Sequence, residues 1–209
     1  MADNNSKIIL DLCGGTGSWS RPYKEAGYDV RIITLPEFDV CTYRPPDKVY
    51  GILAAPPCTE FSLAKNGCHR SRDLSEGMNI VAACLKIIWE CRLTGSLKFW
   101  ALENPVGLLR QFLGKPHYTF YQWWFGDMGI KRTDLWGYFN DPKQKVFERP
   151  DSPYFVKQYK SGKKKQFAWS SPQCPEWARE YIAGCKNRRA ALRSITPPGF
   201  AQAFFKANR

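Results

Sequence analysis

The sequence contains no long hydrophobic run. None of its apolar stretches approaches the roughly 18 to 20 uncharged residues that a membrane-spanning helix needs. The first six residues, MADNNS, lack the basic region and the apolar region of a secretory signal peptide. We therefore expect a protein that is neither membrane-bound nor exported, with a cytoplasmic location.

Pairs of metal-binding residues are also missing. The chain has eight cysteines but no C-x-x-C pair, and its two histidines, His69 and His117, are far apart in the sequence. These spacings do not fit a zinc site. Disulfide scaffolds are typically short and secreted, so the cysteines are better interpreted as reduced thiols, and we expect no metal.

Acidic residues are scarce in the last third of the chain. The net charge is +12, and residues 141–209 hold 15 Lys and Arg against 5 Asp and Glu. Positive charge beside aromatic rings is suited to a phosphate backbone and unstacked bases, although a solvated lysine loop is the alternative. The basic side chains concerned are Lys157, Lys160, Lys163, Lys164, Lys165, Lys186, Arg188, Arg189 and Arg193, with Tyr159, Phe167 and Trp169 among them.

The chain length of 209 residues fits one domain, and its first 140 residues alternate strand-like and helix-like patterns. This predicts an α/β fold with a mostly parallel sheet and helices on both faces, interrupted by a small basic insert at 141–194. Strands are predicted at 8–12, 30–34, 49–55, 99–102, 120–125 and 135–139. Helices are predicted at 19–26, 78–91, 176–183 and 198–205, with a loop at 62–75.

The glycine-rich turn after the first strand lacks two familiar signatures. Residues 11–17, DLCGGTG, contain neither the G-x-G-x-x-G dinucleotide fingerprint nor the lysine of a P-loop. The glycines still allow a ligand to approach the backbone closely at a helix N-terminus. A ligand that carries a nucleoside without a pyrophosphate fits this turn.

Three further polar groups flank predicted strands: two follow a strand end, where ligands bind in open α/β sheets, and the third, a basic pair, enters the strand predicted at 135–139. Cys58 lies in PPCTEFS at 56–62, Glu103 in ENP at 103–105, and the pair Lys131 and Arg132 in KRTDLW at 131–136. A thiol can act as a nucleophile and a buried carboxylate as a proton donor. A small buried cysteine, a surface glutamate and a solvated turn are the respective alternatives.

Basic side chains close to Cys58 in the sequence bear on its reactivity. Lys65, Arg70 and Arg72 follow the thiol within fifteen residues. Positive charge favours the thiolate, which is the nucleophilic form of cysteine. We expect these three side chains to lower the pKa of Cys58 and, in a closing loop, to contact nucleic acid.

In this order, the four groups resemble those of the DNA cytosine C5-methyltransferase family, and more closely its short phage-type members. The turn at 11–17 resembles the S-adenosylmethionine loop, Pro-Pro-Cys at 56–58 the nucleophile motif, and Glu-Asn at 103–104 the motif that binds the base. Residues 131–136 weakly resemble the family's basic motif. TPPGFA at 196–201 resembles the terminal segment that packs back on the cofactor site.

The resemblance implies that the protein is an S-adenosylmethionine-dependent enzyme acting on cytosine C5 in DNA, in a phage-infected host's cytoplasm if phage-encoded. The Cys58 thiolate would add to C6 while Glu103 contacts N3 and the exocyclic amine. Arg132, or Lys131, would hold O2, and Asn104 would fix the loop that carries Cys58. The base would have to be flipped out of a duplex or already single-stranded.

The resemblance also implies a cofactor site and a nucleic-acid surface. Cys13 stands where the family usually has an aromatic residue over the adenine, so Trp19 or another ring would substitute. The acidic residue expected at the end of strand two is displaced, leaving Glu37 for the ribose and Asp39 for the adenine amine. The implied cofactor residues are Asp11, Cys13, Gly14, Gly15, Thr16, Gly17, Trp19, Glu37, Asp39, Pro56 and Thr196, and the implied nucleic-acid contacts are Lys65, Arg70, Arg72, Lys163, Lys164 and Lys165.

The chain departs from full-length relatives in having room for only a small target-recognition region, between about residues 139 and 195. Lysines there supply phosphate contacts more readily than contacts to base edges. We therefore expect relaxed or very short sequence specificity, or a protein partner that supplies recognition. The same chemistry on RNA or a free cytosine nucleotide, and a non-catalytic nucleic-acid-binding module on the same fold, are the alternatives.

Overall fold

A computed structural model describes residues 4–66, 71–127, 131–148, 156–158, 164–166 and 176–209. For residues 64, 156–158, 164–166, 189 and 190 it describes the backbone alone. Within these ranges, no helix combines the length and the apolar character needed to cross a membrane.

A mixed sheet of six strands forms the centre of an α/β fold. Its strands are β1 Ile8–Leu12, β2 Asp29–Ile33, β3 Val49–Ala54, β4 Phe99–Pro105, β5 Tyr118–Tyr121 and β6 Arg132–Tyr138, in the spatial order β2-β1-β3-β4-β6-β5. The pairs β1/β2, β1/β3 and β3/β4 are parallel, whereas β6 is antiparallel to both β4 and β5. This arrangement is compatible with a Rossmann-like fold.

Alternation along the strands sends apolar side chains to both faces of the sheet. Leu10 and Ile52 pack with the helix α2, which spans Leu74–Leu93. Ile9 and Leu53 instead face a second, aromatic core that contains Tyr23, Phe200 and Phe204. Burial on both faces explains why the central strands are almost wholly apolar, as the sequence predicted.

The second face is covered by the short helix α1, Arg21–Glu25, and by the last helix α6, Pro198–Ala207. Phe200 of α6 stacks on Phe120 of β5, with ring centroids 4.1 Å apart and planes 16° apart. The α6 N-terminus has no capping side chain of its own, and both carboxylate oxygens of Asp127 accept from its Gly199 and Phe200 amides at 2.8 and 2.9 Å. The final helix is thereby fixed against the sheet.

Helix α2 begins earlier than the apolar periodicity predicts. Asp73 accepts a hydrogen bond from the Glu76 amide at 2.8 Å, which caps the helix and shortens the predicted loop at 62–75. The Asp-x-x-Glu spacing is a helix-start signal that the periodicity alone does not include. Within the same loop, residues Leu63–Lys65 form a 3-10 turn.

The strand predicted at 120–125 and the helix predicted at 19–26 also differ from the structure. Residues Gln122–Phe125 form a 3-10 turn after β5 and do not continue the strand. The predicted helix at 19–26 is reduced to α1 because residues 15–20 form turns, in which Ser18, Trp19 and Ser20 are buried. Pro22 follows in the first turn of α1, where the backbone N–H that proline lacks would have no acceptor within the helix.

The C-terminal third contains the described elements of the predicted basic insert. A two-stranded ribbon pairs β7, Val156–Gln158, with β8, Lys164–Gln166. The 3-10 turn Glu176–Ala178 leads into α4, Arg179–Gly184, and α5, Arg188–Ser194. Ala178, Ile182 and Ile195 form a separate small core, so this part packs on its own apolar contacts. The boundaries of the insert stay a prediction.

Candidate active site

The four polar groups singled out in the sequence lie at one edge of the sheet. Cys13 follows β1, Cys58 follows β3, and Glu103 lies near the end of β4, on strands that are neighbours. β6 runs in the opposite direction, so its first residue, Arg132, lies at the same edge. The order and the directions of the strands therefore bring together residues that lie more than 100 positions apart in the sequence.

The loop that carries Cys58 is fixed to the loop after Glu103. The Asn104 side-chain amide is fully buried and donates to the Pro56 carbonyl at 3.0 Å. Ser62 and Gly107 form an isolated antiparallel β-bridge, and the Leu108 amide donates to the Phe61 carbonyl at 2.9 Å. These contacts connect Asn104 to the segment that precedes Cys58.

Glu103 and Lys131 face each other beside Cys58. The Lys131 ammonium lies 3.4 Å from a Glu103 carboxylate oxygen, and both side chains are mostly buried. They line a small cleft, which is completed by Gln122, Thr133 and residues 194–197. The cleft therefore contains a carboxylate and an ammonium group close to the Cys58 thiol.

Burial is the main influence on the Cys58 thiol. It raises the pKa of Cys58 above its usual value, and the negative charge of Glu103 raises it further, while Lys131 and Arg193 lower it. The pKa of Cys58 is thus raised overall and not lowered; among the described residues the positive charges that lower it are Lys131 and Arg193 and not Lys65 or Arg72, and Arg70 lies outside the described residues. In the free protein the thiol is held mainly in its protonated form.

Lys65 and Arg72 are occupied in holding their own loop. Lys65 forms an ion pair with Glu60, and the Arg72 guanidinium donates to the Glu60 and Ser62 carbonyls at 2.6 and 3.0 Å. Both side chains therefore stabilise the loop beside Cys58. As for the other predicted nucleic-acid contacts, Arg70 and Lys163 lie outside the described residues, and Lys164 and Lys165 are described only as backbone of β8.

The basic pair before β6 divides between two environments. Lys131 points into the cleft, whereas Arg132 is exposed and its guanidinium lies over the Tyr121 ring, 5.8 Å from the centroid. Adjacent positions at a strand point to opposite sides. The structure therefore brings Lys131, not Arg132, to Glu103.

The glycine turn surrounds the buried carboxylate of Asp11. One oxygen of this carboxylate accepts from the Ser20 hydroxyl at 2.5 Å, and the other has no partner among the described residues. Burial raises the pKa of Asp11 to about 6. A Cβ at Gly14 would lie 2.4 Å from the Asp11 carboxyl carbon, so only glycine allows the turn to close over Asp11.

The remaining predicted cofactor residues lie in different surroundings. Glu37 and Asp39 are exposed in the turn after β2, and Asp39 accepts from the Cys41 amide at 2.9 Å. Cys13 has a positive φ of 57° and packs against the core that contains Cys84. Trp19 is only 2% exposed and packs on Phe200 and Phe204, so its ring belongs to the second core.

The C-terminal segment packs against the glycine turn. The Ser18 hydroxyl donates to the Thr196 carbonyl at 2.5 Å. This contact agrees with the placement expected for Thr196. Three residues of this region were not predicted: Ser18, Asp127, which positions α6, and Tyr181, whose hydroxyl lies close to Gly15. Their contacts span more than 70 positions, and no local sequence pattern signals them.

Within the described ranges, no three His, Cys, Asp or Glu side chains are placed to bind a metal ion. The unpartnered Asp11 oxygen and the side-chain-free surface of Gly14 and Gly15 are suited to a small polar ligand with a nucleoside.

Comparison with models of known protein families finds no match for this chain, and comparison with curated proteins finds none either.

Proposed function

We propose that this protein transfers a methyl group from S-adenosylmethionine to C5 of cytosine in DNA. The observation that carries the proposal is the proximity of Cys58 to Glu103 and Lys131, which line one small cleft, beside a glycine turn that follows the neighbouring strand. A nucleophile, an acid and a cation next to a nucleoside site are the groups that this reaction needs.

The proposal includes the finer fold class, that of the class I S-adenosylmethionine-dependent methyltransferases with a mostly parallel, Rossmann-like sheet. Three of the five neighbouring strand pairs are parallel, and the glycine turn follows β1, which lies between β2 and β3. Ligands in open α/β sheets bind at the carboxyl ends of such strands.

In the proposed cofactor site, the backbone of the turn at 14–17 faces the ligand and the buried Asp11 carboxylate lies beneath this turn, while Glu37 and Asp39 are expected to contact the ribose and the adenine amine. The Thr196 backbone supports the turn through Ser18. When bound, S-adenosylmethionine supplies an electrophilic methyl group. A negative Asp11 beside a cationic ligand would regain the charge partner that the buried carboxylate otherwise lacks.

The protein's own groups would activate the base. Cys58 passes its proton to the Glu103 carboxylate and its sulfur adds to C6, while Glu103 gives this proton to N3, so that the electron pair of the C5–C6 bond reaches C5. C5 then takes the methyl group, a water molecule removes the C5 proton to solvent, and elimination expels the Cys58 thiolate. In the last step the N3 proton returns to Glu103 and from there to Cys58, so that the enzyme regains its thiol and its carboxylate.

Lys131 has two tasks in this scheme. Its ammonium lowers the pKa of Cys58 and so favours the thiolate that attacks. It also lies where it can donate to the cytosine O2 once Glu103 turns to N3. Asn104 acts as a positioning residue, because its bond to Pro56 fixes the start of the Cys58 loop.

DNA is the proposed substrate because of the positive charge of the chain, +12 overall and concentrated after residue 140. The target base must leave the stack to reach Cys58. The short basic region favours low or very short sequence specificity, and a cytoplasmic location fits this substrate.

A covalent trap tests the proposal. The protein is incubated with S-adenosylmethionine and DNA that contains 5-fluorocytosine, and a denaturation-resistant adduct is measured. Fluorine cannot leave C5 as a proton does, so elimination is blocked after methyl transfer. We expect an adduct with the wild type and with Cys91→Ala, whose thiol is buried in α2, but none with Cys58→Ala.

Parallel reactions with RNA and with a free cytosine nucleotide identify the substrate class. Methyl transfer to RNA or to the nucleotide in preference to DNA would identify that molecule as the substrate of the same reaction. Normal cofactor binding without methyl transfer to any of the three would overturn the enzymatic proposal in favour of a nucleic-acid-binding module.

A further inference from the structure

The glycine turn lacks an aromatic ring of its own to cover a nucleoside. Cys13, at the start of the turn, packs against the α2 core. Trp19, at its end, is buried with ring centroids 5.3 and 5.8 Å from Phe204 and Phe200. Neither side chain is free to lie against a ligand in the crevice between β1 and β2.

Tyr181 of α4 reaches this crevice from the C-terminal part of the chain. Its hydroxyl lies 3.3 Å from the point where a Cβ of Gly15 would be, and it forms a side-chain hydrogen bond with Thr34. Gly15 follows β1 and Thr34 follows β2. The phenol therefore bridges the carboxyl ends of two neighbouring strands, at the position expected for the nucleoside.

Two contacts on either side of Tyr181 hold it there. Trp177 lies under the Arg21 guanidinium of α1, with 4.8 Å between the guanidinium carbon and the ring centroid. Ile182 is buried with Ala178 and Ile195 in the small core. Tyr181 as a whole is 37% exposed, so part of the residue is accessible to a ligand.

We infer that Tyr181 supplies the aromatic surface against which the nucleobase of the cofactor packs. This inference rests on the proposed function and assigns to α4 a part in binding the cofactor. A flat ring held by Thr34 at the open side of the glycine turn offers an adenine a stacking partner, and it leaves the turn itself without side-chain bulk.

Binding of S-adenosylhomocysteine, measured by titration calorimetry without nucleic acid, tests the inference. Tyr181→Ala removes the ring and we expect it to weaken binding about tenfold, within the range for loss of a base-stacking ring. Tyr181→Phe keeps the ring, loses only the Thr34 hydrogen bond, and should bind within about threefold of wild type. Tyr138→Ala is the control, because this 70% exposed tyrosine ends β6 at the opposite edge of the sheet.

Each outcome separates the two proposals. If the wild type does not bind S-adenosylhomocysteine, the proposed function fails and this inference fails with it. If the wild type binds and Tyr181→Ala binds equally well or more tightly, the ring merely occupies the crevice, and only the inference is overturned. Circular dichroism confirms that each variant is folded.

Discussion

At the scale of single residues, the reactivity of Cys58 depends on a balance of three effects. Burial and Glu103 raise its pKa, whereas Lys131 and Arg193 lower it. Because Glu103 and Lys131 also pair with each other at 3.4 Å, removal of either one changes the field at the thiol. At neutral pH the free protein thus keeps the Cys58 thiol protonated, and in the proposed reaction a bound base that engages Glu103 would release this restraint.

Opposite effects of two neutral substitutions follow from this balance. Glu103→Gln should lower the pKa of Cys58 and Lys131→Gln should raise it, because one removes a negative and the other a positive charge close to the sulfur. The rate of Cys58 alkylation by iodoacetamide, followed from pH 7 to 10 by peptide mass spectrometry, measures both shifts. Lys86→Gln, on the exposed side of α2, is the control and should match wild type. Shifts in the same direction would contradict this account.

Individual site residues differ in how far the sequence could predict them. Cys58, Glu103 and Asn104 stand out because their residue types follow apolar strands in a recognisable order. Lys131 and Arg132 could not be separated, since the choice depends on which side of β6 each one faces. Tyr181 and Asp127 act across more than 70 positions, and only tertiary structure brings them to the site.

At the scale of secondary structure, the position of β6 depends on a buried ion pair. Asp134, in the middle of β6, is fully buried and accepts two hydrogen bonds from Arg110, at 2.7 and 2.6 Å, and one from Thr119 at 2.7 Å. Arg110 begins the short helix α3, Arg110–Leu113. The pair therefore links α3, β5 and β6.

Loss of Arg110 should be costly because it leaves the Asp134 charge buried without its partner. We expect Arg110→Ala to lower the free energy of unfolding by about 3 kcal/mol. Lys86→Ala removes an exposed partner of Glu90 and should change it by less than about 0.5 kcal/mol. Urea denaturation at pH 7 measures both. Adding Asp134→Asn to Arg110→Ala should recover part of the loss, and an Arg110→Ala protein as stable as Lys86→Ala would refute this role.

The elements of the sheet show which parts of a fold are predictable from sequence. The pattern predicts β1 to its last residue and β3 to within one, because both are apolar runs buried on two faces. The reversal of β6 and its place between β4 and β5 are set by pairing partners, which periodicity does not encode. Residues 122–125 have a strand-like sequence but form a 3-10 turn, in which Gln122 and Phe125 are buried.

At the scale of the whole molecule, two buried carboxylates lower the free energy of unfolding when they are charged. Asp11 supports the glycine turn and Asp127 positions α6, and burial raises the pKa of each from 3.8 to about 6. A raised carboxyl pKa means that the folded state binds protons more tightly than the unfolded state does. Stability from these groups is therefore present below about pH 4 and is lost as the pH rises to about 6.

Asp11→Asn should isolate one of these two contributions. An asparagine amide oxygen can still accept from Ser20, but it carries no buried charge at any pH. A rise from 3.8 to about 6 corresponds to about 3 kcal/mol, so the variant should be more stable than wild type by up to about this amount at pH 7.5 and similar to it at pH 4.

Urea denaturation of both proteins at pH 4.0, 5.0, 6.0 and 7.5 measures the difference. The decline of wild-type stability with pH should be roughly halved in Asp11→Asn, because Asp127 still titrates in the same window. A variant that is less stable than wild type at pH 7.5 would mean that the Asp11 charge is compensated in the free protein. The same variant should bind S-adenosylhomocysteine more weakly. Gain of stability with loss of binding would identify Asp11 as a charge kept for a ligand rather than for folding.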